Sequence, residues 1–342
     1  MKTKLLLLPA LMLLAFGAQA QKENVNRYGQ VLVKEGNGWK VQDWDKIKSR
    51  TGAKFSPDTV PGWSQPYKYV PDKIKPEDRE KFDLENYIYK NYPSYSCRMD
   101  VYKPKGQGDG PFPWVMFIHG GGWTNGSERG MSVLASYFAS NGIAAVSISY
   151  TLSGQGTFED TRKDMSDAFA YVLKNAARWG FDPARYGFSG FSAGGHLSSY
   201  MAMTTPGTSV LVSIAGPHNL YLLGGADPNV AAAANPAGSP LLRYFGVKSK
   251  NTDSLREYSP YFLIPSDPAA IPAAMLIHGC LDMAVSVEQS IEFARELKAK
   301  GARNVELLAV PYAPHGVMNL RFNYQCEDNM IKALAFARKH FK

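Results

Sequence analysis

Five short apolar runs, interleaved with four stretches of helical spacing, limit what this chain can fold into. They are "WVMFI" (114–118), "IAAVSI" (143–148), "SVLVSI" (209–214), "AAMLI" (273–277) and "VELLAV" (305–310). So few polar positions are expected of strands covered on both faces, as in a parallel sheet. "MSVLASYFASNG", "FEDTRKDMSDAFAYVLKNAARWG", "SVEQSIEFARELKAKG" and "NMIKALAFARKHF" have helical spacing. The second of these places acids early and basic residues late, which complements the helix dipole. Strand–helix alternation from Tyr87 onward predicts an α/β domain over residues 86–342, with a mostly parallel sheet flanked by helices. In such sheets a site lies at the carboxyl ends of the strands.

Three regions stand outside that alternation. Residues 1–20 carry Lys2 and Lys4, an apolar run from Leu5 to Phe16, and Ala18-Gln19-Ala20, the pattern of a secretory signal peptide. The run is shorter than the roughly 20 residues of a membrane-spanning helix. The expectation is therefore an exported protein, periplasmic or secreted, with no integral membrane segment after cleavage. Residues 21–85 are rich in aromatics, including Trp39, Trp44 and Trp63, too many for a disordered linker. They are read as an N-terminal extension packed on the catalytic domain, either shaping its pocket or burying elsewhere for stability. Residues 218–260, rich in Ala, Gly and Pro, are a candidate lid-like insertion.

Charge narrows the partners. The formal net charge is +8, or +6 once Lys2 and Lys4 are removed, and the basic residues are interspersed with acids. No nucleic-acid patch follows from that pattern. The three cysteines, Cys97, Cys280 and Cys326, have no metal-site spacing and permit at most one internal disulfide. If a pair forms it is expected to be Cys97 with Cys326, whereas Cys280 reads as a buried thiol. No metal and no organic cofactor is called for.

"GFSAG" (190–194) has the G-x-S-x-G form in which a serine sits on a sharp strand-to-helix turn. A serine nucleophile needs a base, an acid to orient that base, and donors for the developing oxyanion. His315, in "VPYAPHGV", follows the last expected strand and is the candidate base. Asp282, in "AAMLIHGCLDMAV", lies just past an earlier strand and is the candidate acid, though it could equally cap the next helix. "HGGGW" (119–123) supplies glycines where backbone N–H groups can approach an oxyanion. The order Ser192, Asp282, His315 is that of α/β-hydrolases and differs from both trypsin-like and subtilisin-like proteases.

Taken together, "FIHGGGW", "SISYTLS", "YGFSGFSAGGHL" and "AAMLIHGCLDMAVSVEQS…VPYAPHGV" resemble the α/β-hydrolase esterases of the hormone-sensitive-lipase-like group. Within that group the chain is most similar to the small bacterial BD-FAE-like branch, departing from its usual pattern at Phe158-Glu159 and Met283. The resemblance implies Ser192 as nucleophile, Asp282 as orienting acid and His315 as base. It also implies Gly121, Gly122 and Ala193 as oxyanion donors, and Asp164 as a structural aspartate. Trp123 and Phe191 are the candidate substrate-binding residues, Trp123 by stacking on a sugar ring. Members of the branch include feruloyl and acetyl esterases acting on plant polysaccharides. The substrate expected is therefore a small-molecule or polysaccharide ester. The alternatives are an arylformamidase-like hydrolase, a general short-chain carboxylesterase, or a non-enzymatic binding protein on the same fold.

Overall fold

The computed structural model describes residues 32–35, 38–41, 80–222, 243–247, 253–282, 284–310, 313–317 and 326–341. The leader expected at 1–20 lies outside the described residues. So does the extension up to residue 79, apart from a hairpin of β1 (Leu32–Glu35) and β2 (Gly38–Val41).

The apolar runs become the middle of an eight-stranded sheet. Its strands are β3 (Phe82–Asn91), β4 (Ser96–Pro104), β5 (Phe112–Ile118), β6 (Ala144–Ile148), β7 (Phe181–Phe191), β8 (Val210–Ile214), β9 (Ala273–Gly279) and β10 (Val305–Val310). They lie in the order β10-β9-β8-β7-β5-β6-β4-β3. From β6 through β5 to β10 every pairing is parallel, and β4 and β3 are antiparallel additions at one edge. β3 starts at Phe82, so the eight-stranded sheet begins before the boundary at residue 86 read from the sequence.

The two-residue period of β5 divides the core. Trp114, Met116 and Ile118 face a cluster that includes Phe158, Met165, Leu197 and Phe293. Val115 and Phe117 face the other side, with Phe138, Leu334 and Phe336. The first layer is built from α2 (Phe158–Trp179), α3 (Ala193–Thr204) and α5 (Glu288–Ala299). The second is built from α1 (Ser132–Ala139) and α6 (Cys326–His340), and the short α4 (Asp253–Tyr258) lies in the 218–260 stretch. α2 starts with a capping box, in which Thr157 and Asp160 each take the other's backbone N–H, and ends at Gly180 in the left-handed conformation (φ 71°).

In the 218–260 stretch Tyr244 and Phe245 are buried against Phe158, while 223–242 and 248–252 lie outside the described residues. Cys97 is a buried free thiol that donates to Asp164 Oδ2 at 3.4 Å, so the structure does not form the bond expected with Cys326. Burial, then the neighbouring Asp164 charge, pushes the Cys97 thiol up to about 12. Asp164 is fully buried and also accepts from the Thr151 amide (2.8 Å) and the Tyr92 hydroxyl (2.7 Å), with Lys90 Nζ at 2.9 Å. It ties α2 to the β3–β4 edge, the structural part implied for it.

Candidate active site

β7 delivers Ser192 on a backbone that ordinary residues avoid. The residue has φ 57° and ψ −121°, and α3 begins immediately after it. A left-handed serine costs on the order of 1–3 kcal/mol, held here by the surrounding ladder. The Ser192 amide donates to Ile214 O at 2.8 Å, and the His196 amide donates back to Ser192 O at 3.1 Å. The flanking glycines are steric requirements. A Cβ on Gly190 would lie 2.7 Å from the Ile118 carbonyl oxygen, and one on Gly194 would lie 2.6 Å from that of His119. The turn therefore packs backbone to backbone on the end of β5.

The other two side chains arrive from strands two and three places from β7 in the sheet. Asp282 follows β9 and is buried (4 % exposed). His315 lies in the loop after β10, which hangs on the end of β9 through Cys280 N–H to Val310 O (3.0 Å) and Leu281 N–H to Ala313 O (3.0 Å). His315 Nδ1 lies 2.6 Å from Asp282 Oδ2, and His315 Nε2 lies 2.8 Å from Ser192 Oγ. A carboxylate only accepts, so Nδ1 carries the proton and Nε2 accepts from the Ser192 hydroxyl. The three residues picked from the sequence are thus one continuous hydrogen-bonded chain.

The alternative left by the sequence, a cap on the next helix, is not what forms: α5 starts at Glu288 with Val287 at its N-cap, and the turn before it is closed by Asp282. Its Oδ1 accepts from the amides of Ala284 (2.8 Å) and Val285 (2.8 Å) while Oδ2 serves His315. Burial alone would raise its pKa. The His315 charge, with hydrogen bonds from His278 and His315, overcomes that and holds the carboxyl at about 2.

The glycine loop lies against Ser192, where a Cβ on Gly120 would come 3.1 Å from Ser192 Cβ. Gly121 and Gly122 have φ 121° and φ 60°. Among the described residues, neither amide has an acceptor. The loop is anchored by His119, which stacks on Tyr150 (ring centroids 4.4 Å, planes 12° apart) and donates from Nδ1 to Gly120 O at 2.7 Å. The Tyr150 hydroxyl donates to His119 O at 3.0 Å. Burial lowers the His119 pKa. Ala193, the remaining donor implied, opens α3 beside Ser192.

The two substrate-binding candidates separate. Phe191 is half-buried, its ring 5.0 Å from that of His315. Trp123 does not present its ring to a sugar. With φ 59° it turns inward, is 4 % exposed, and packs edge-on against His196 (5.5 Å) and Phe245 (5.2 Å). His196 donates from Nε2 to Tyr258 O at 2.7 Å, a bond across 62 positions of sequence. Among the described residues no group of three or more His, Cys, Asp or Glu side chains could hold a metal ion, and no helix is long and apolar enough to cross a membrane.

Sequence reasoning missed His278 and Ser290. His278 Nε2 lies 3.3 Å from Asp282 Oδ2 and Nδ1 lies 2.7 Å from Ser290 Oγ. The only signal was a histidine four positions before the acid, and its place within a strand argued against it.

The BD-FAE family model matches residues 99–297, more than half of the chain. The chain belongs to the BD-FAE family. A probable carboxylic ester hydrolase, LipM of Mycobacterium tuberculosis, is 30 % identical over 217 residues, which is 60 % of this chain and 49 % of LipM. This BD-FAE chain spans about half the length of the curated relatives it matches. Among solved structures it superposes on a truncated carbohydrate esterase from gut microbiota with TM-score 0.63 and 22 % identity, covering 76 % of this chain and 97 % of the other. An esterase of Pyrobaculum calidifontis matches with TM-score 0.61 and 24 % identity, covering 75 % and 85 %. These likenesses establish the α/β-hydrolase fold.

Proposed function

We propose that this protein is an exported serine carboxylic-ester hydrolase that removes acetyl or feruloyl groups from plant polysaccharides or oligosaccharides. The observation that carries the hydrolase reading is the unbroken chain Ser192–His315–Asp282, with bonds of 2.8 and 2.6 Å. Ser192 Oγ attacks the ester carbonyl carbon as His315 Nε2 takes the hydroxyl proton. The carbonyl oxygen becomes an oxyanion facing the amides of Gly121, Gly122 and Ala193. His315 gives its proton to the departing alcohol oxygen, which leaves an acyl group on Ser192. Water then repeats the sequence, releasing the acid and restoring the serine. Asp282 holds the imidazole tautomer and pairs with its charge while it is protonated.

Membership in the BD-FAE family and likeness in fold to a carbohydrate esterase favour a carbohydrate ester. The leader pattern at 1–20 favours export, where such polymers arrive. Phe191 beside His315 offers an aromatic surface for an acyl group or sugar.

The test is p-nitrophenyl acetate hydrolysis by wild type and Ser192→Ala. The variant should lose several orders of magnitude in kcat, and undiminished turnover would sink the assignment. Acetylated xylan, methyl ferulate, N-formylkynurenine and a long-chain triglyceride then decide the substrate. Triglyceride or N-formylkynurenine turnover above the first two would overturn the carbohydrate-ester reading.

A further inference from the structure

We propose that His278 is a positioning residue for the acid, so that the working chain is Ser290–His278–Asp282–His315–Ser192. The proposal deepens the esterase reading and rests on it for its kinetic consequences.

His278 is fully buried in β9, in register with Ala309 of β10. Its Nε2 faces two acceptors, Val285 O at 2.9 Å and Asp282 Oδ2 at 3.3 Å, so that nitrogen carries the proton. Nδ1 then accepts from the Ser290 hydroxyl on α5, at 2.7 Å. The two acceptors at Nε2 thus select one tautomer, which the Ser290 hydroxyl complements as donor.

That tautomer completes the carboxylate. A carboxylate has about four lone-pair sites. Oδ1 takes two amides, and Oδ2 takes His315 at 2.6 Å and His278 at 3.3 Å. Val285 is held from both sides, because its amide donates to Asp282 Oδ1 and its carbonyl accepts from His278. His278 therefore fixes the 282–285 turn as well as touching the carboxylate. In this tautomer it donates a hydrogen bond without adding a charge. The Asp282 charge stays available to the imidazolium that forms when His315 takes the serine proton. The other titratable group that feels His278 is His218, which stacks on Phe293 of α5 at 4.3 Å.

Three variants test this: His278→Met, His278→Gln and Ser290→Ala. Methionine removes the donor. Glutamine can place an amide N–H where Nε2 stood. Alanine at 290 leaves Nδ1 without its donor and frees the ring to tilt away from the carboxylate, while Nε2 keeps its proton. On p-nitrophenyl acetate, His278→Met should lower kcat about tenfold, as expected for a hydrogen bond to a charged group, with KM changed less than twofold. The acid limb of kcat/KM should move to higher pH, because Asp282 then shares its charge with one donor fewer. His278→Gln should recover most of both effects. Ser290→Ala should move both in the same direction by less, and should add nothing in a His278→Met background.

A second readout does not depend on turnover. Nitrogen-15 spectra of histidine-labelled protein should show His278 protonated at Nε2. Ser290→Ala should shift the His315 Nδ1 proton that Asp282 accepts. A fall in kcat with an unmoved acid limb and no rescue by glutamine would be packing damage and would overturn the proposal. So would a Ser290→Ala protein whose His315 proton matches wild type. If wild type shows no Ser192-dependent hydrolysis, the esterase reading fails and the spectra alone decide His278.

Discussion

Gly120→Ala probes the distance between the glycine loop and Ser192. A Cβ there would lie 2.6 Å from the Phe191 carbonyl oxygen and 3.1 Å from Ser192 Cβ. Reaching the 3.0 Å floor for real Cβ contacts needs 0.4 Å (3.0 − 2.6), and ordinary contact at 3.4 Å needs 0.8 Å (3.4 − 2.6). Neither side gives way easily. Phe191 is paired with Ile214 in β8, and the loop is clamped by the His119–Tyr150 stack. Overpacking of this kind costs about 1–3 kcal/mol, which for a chain of this size lowers Tm by roughly 1–5 °C. The same displacement separates the Gly121 and Gly122 amides from the reacting carbon. A misplacement of about 1 Å costs on the order of a hundredfold, so kcat should fall roughly tenfold, with KM little changed. Gly154→Ala is the control, since its Cβ would meet nothing within 4 Å; it should stay within about 0.5 kcal/mol of wild type. Thermal melting and p-nitrophenyl acetate kinetics on both variants are the assay. A Gly120→Ala protein with wild-type Tm and kcat would refute the reasoning, as would a control equally damaged.

Acid should destabilise the fold before the carboxylates titrate. Burial lowers His196 from 6.5 to about 4 and lowers His119 and His218 as well, so the unfolded chain binds more protons than the folded one below pH 6.5. Stability is complete above pH 6.5 and lost as pH falls toward 4, with His196 alone contributing roughly 3 kcal/mol at the acid end; urea melts across that window that show no loss would contradict this. Thr157→Ala breaks the capping box of α2 and should cost about 1 kcal/mol, a Tm loss of roughly 1–2 °C with unchanged kcat. Native protein treated with iodoacetamide should remain unlabelled at the buried Cys97 and Cys280, whose thiols are both raised by burial, and become labelled in denaturant; peptide mass spectrometry reads the difference.

What the sequence made legible was whatever is written in local period. The apolar runs became β5, β6, β8, β9 and β10, and the turn chemistry around Ser192, Asp282 and His315 placed all three at strand ends. β3 was harder, because "FDLENYIYKN" mixes charged and aromatic residues as an edge strand does, with only part of one face covered by α2. Trp123 misled because adjacency to the glycine loop says nothing about side-chain direction; a left-handed backbone turns it into the aromatic cluster. The partner of Cys97 was unreadable because Asp164 lies 67 positions away. His278 stayed hidden because a four-residue interval has no fixed meaning once a strand ends and a turn begins.

The sheet order divides the site between two regions of different security. Ser192 and the glycine loop sit at the ends of β7 and β5, in the middle of the sheet, whereas Asp282 and His315 hang from β9 and β10, with β10 outermost. Edge strands open locally at lower free energy than central ones. Turnover is therefore a gauge of whether that rim is docked, and a warmed or ageing preparation should fall silent while its circular dichroism still looks native. Hydrogen exchange at the β10 amides, followed beside activity, should report the two losses together.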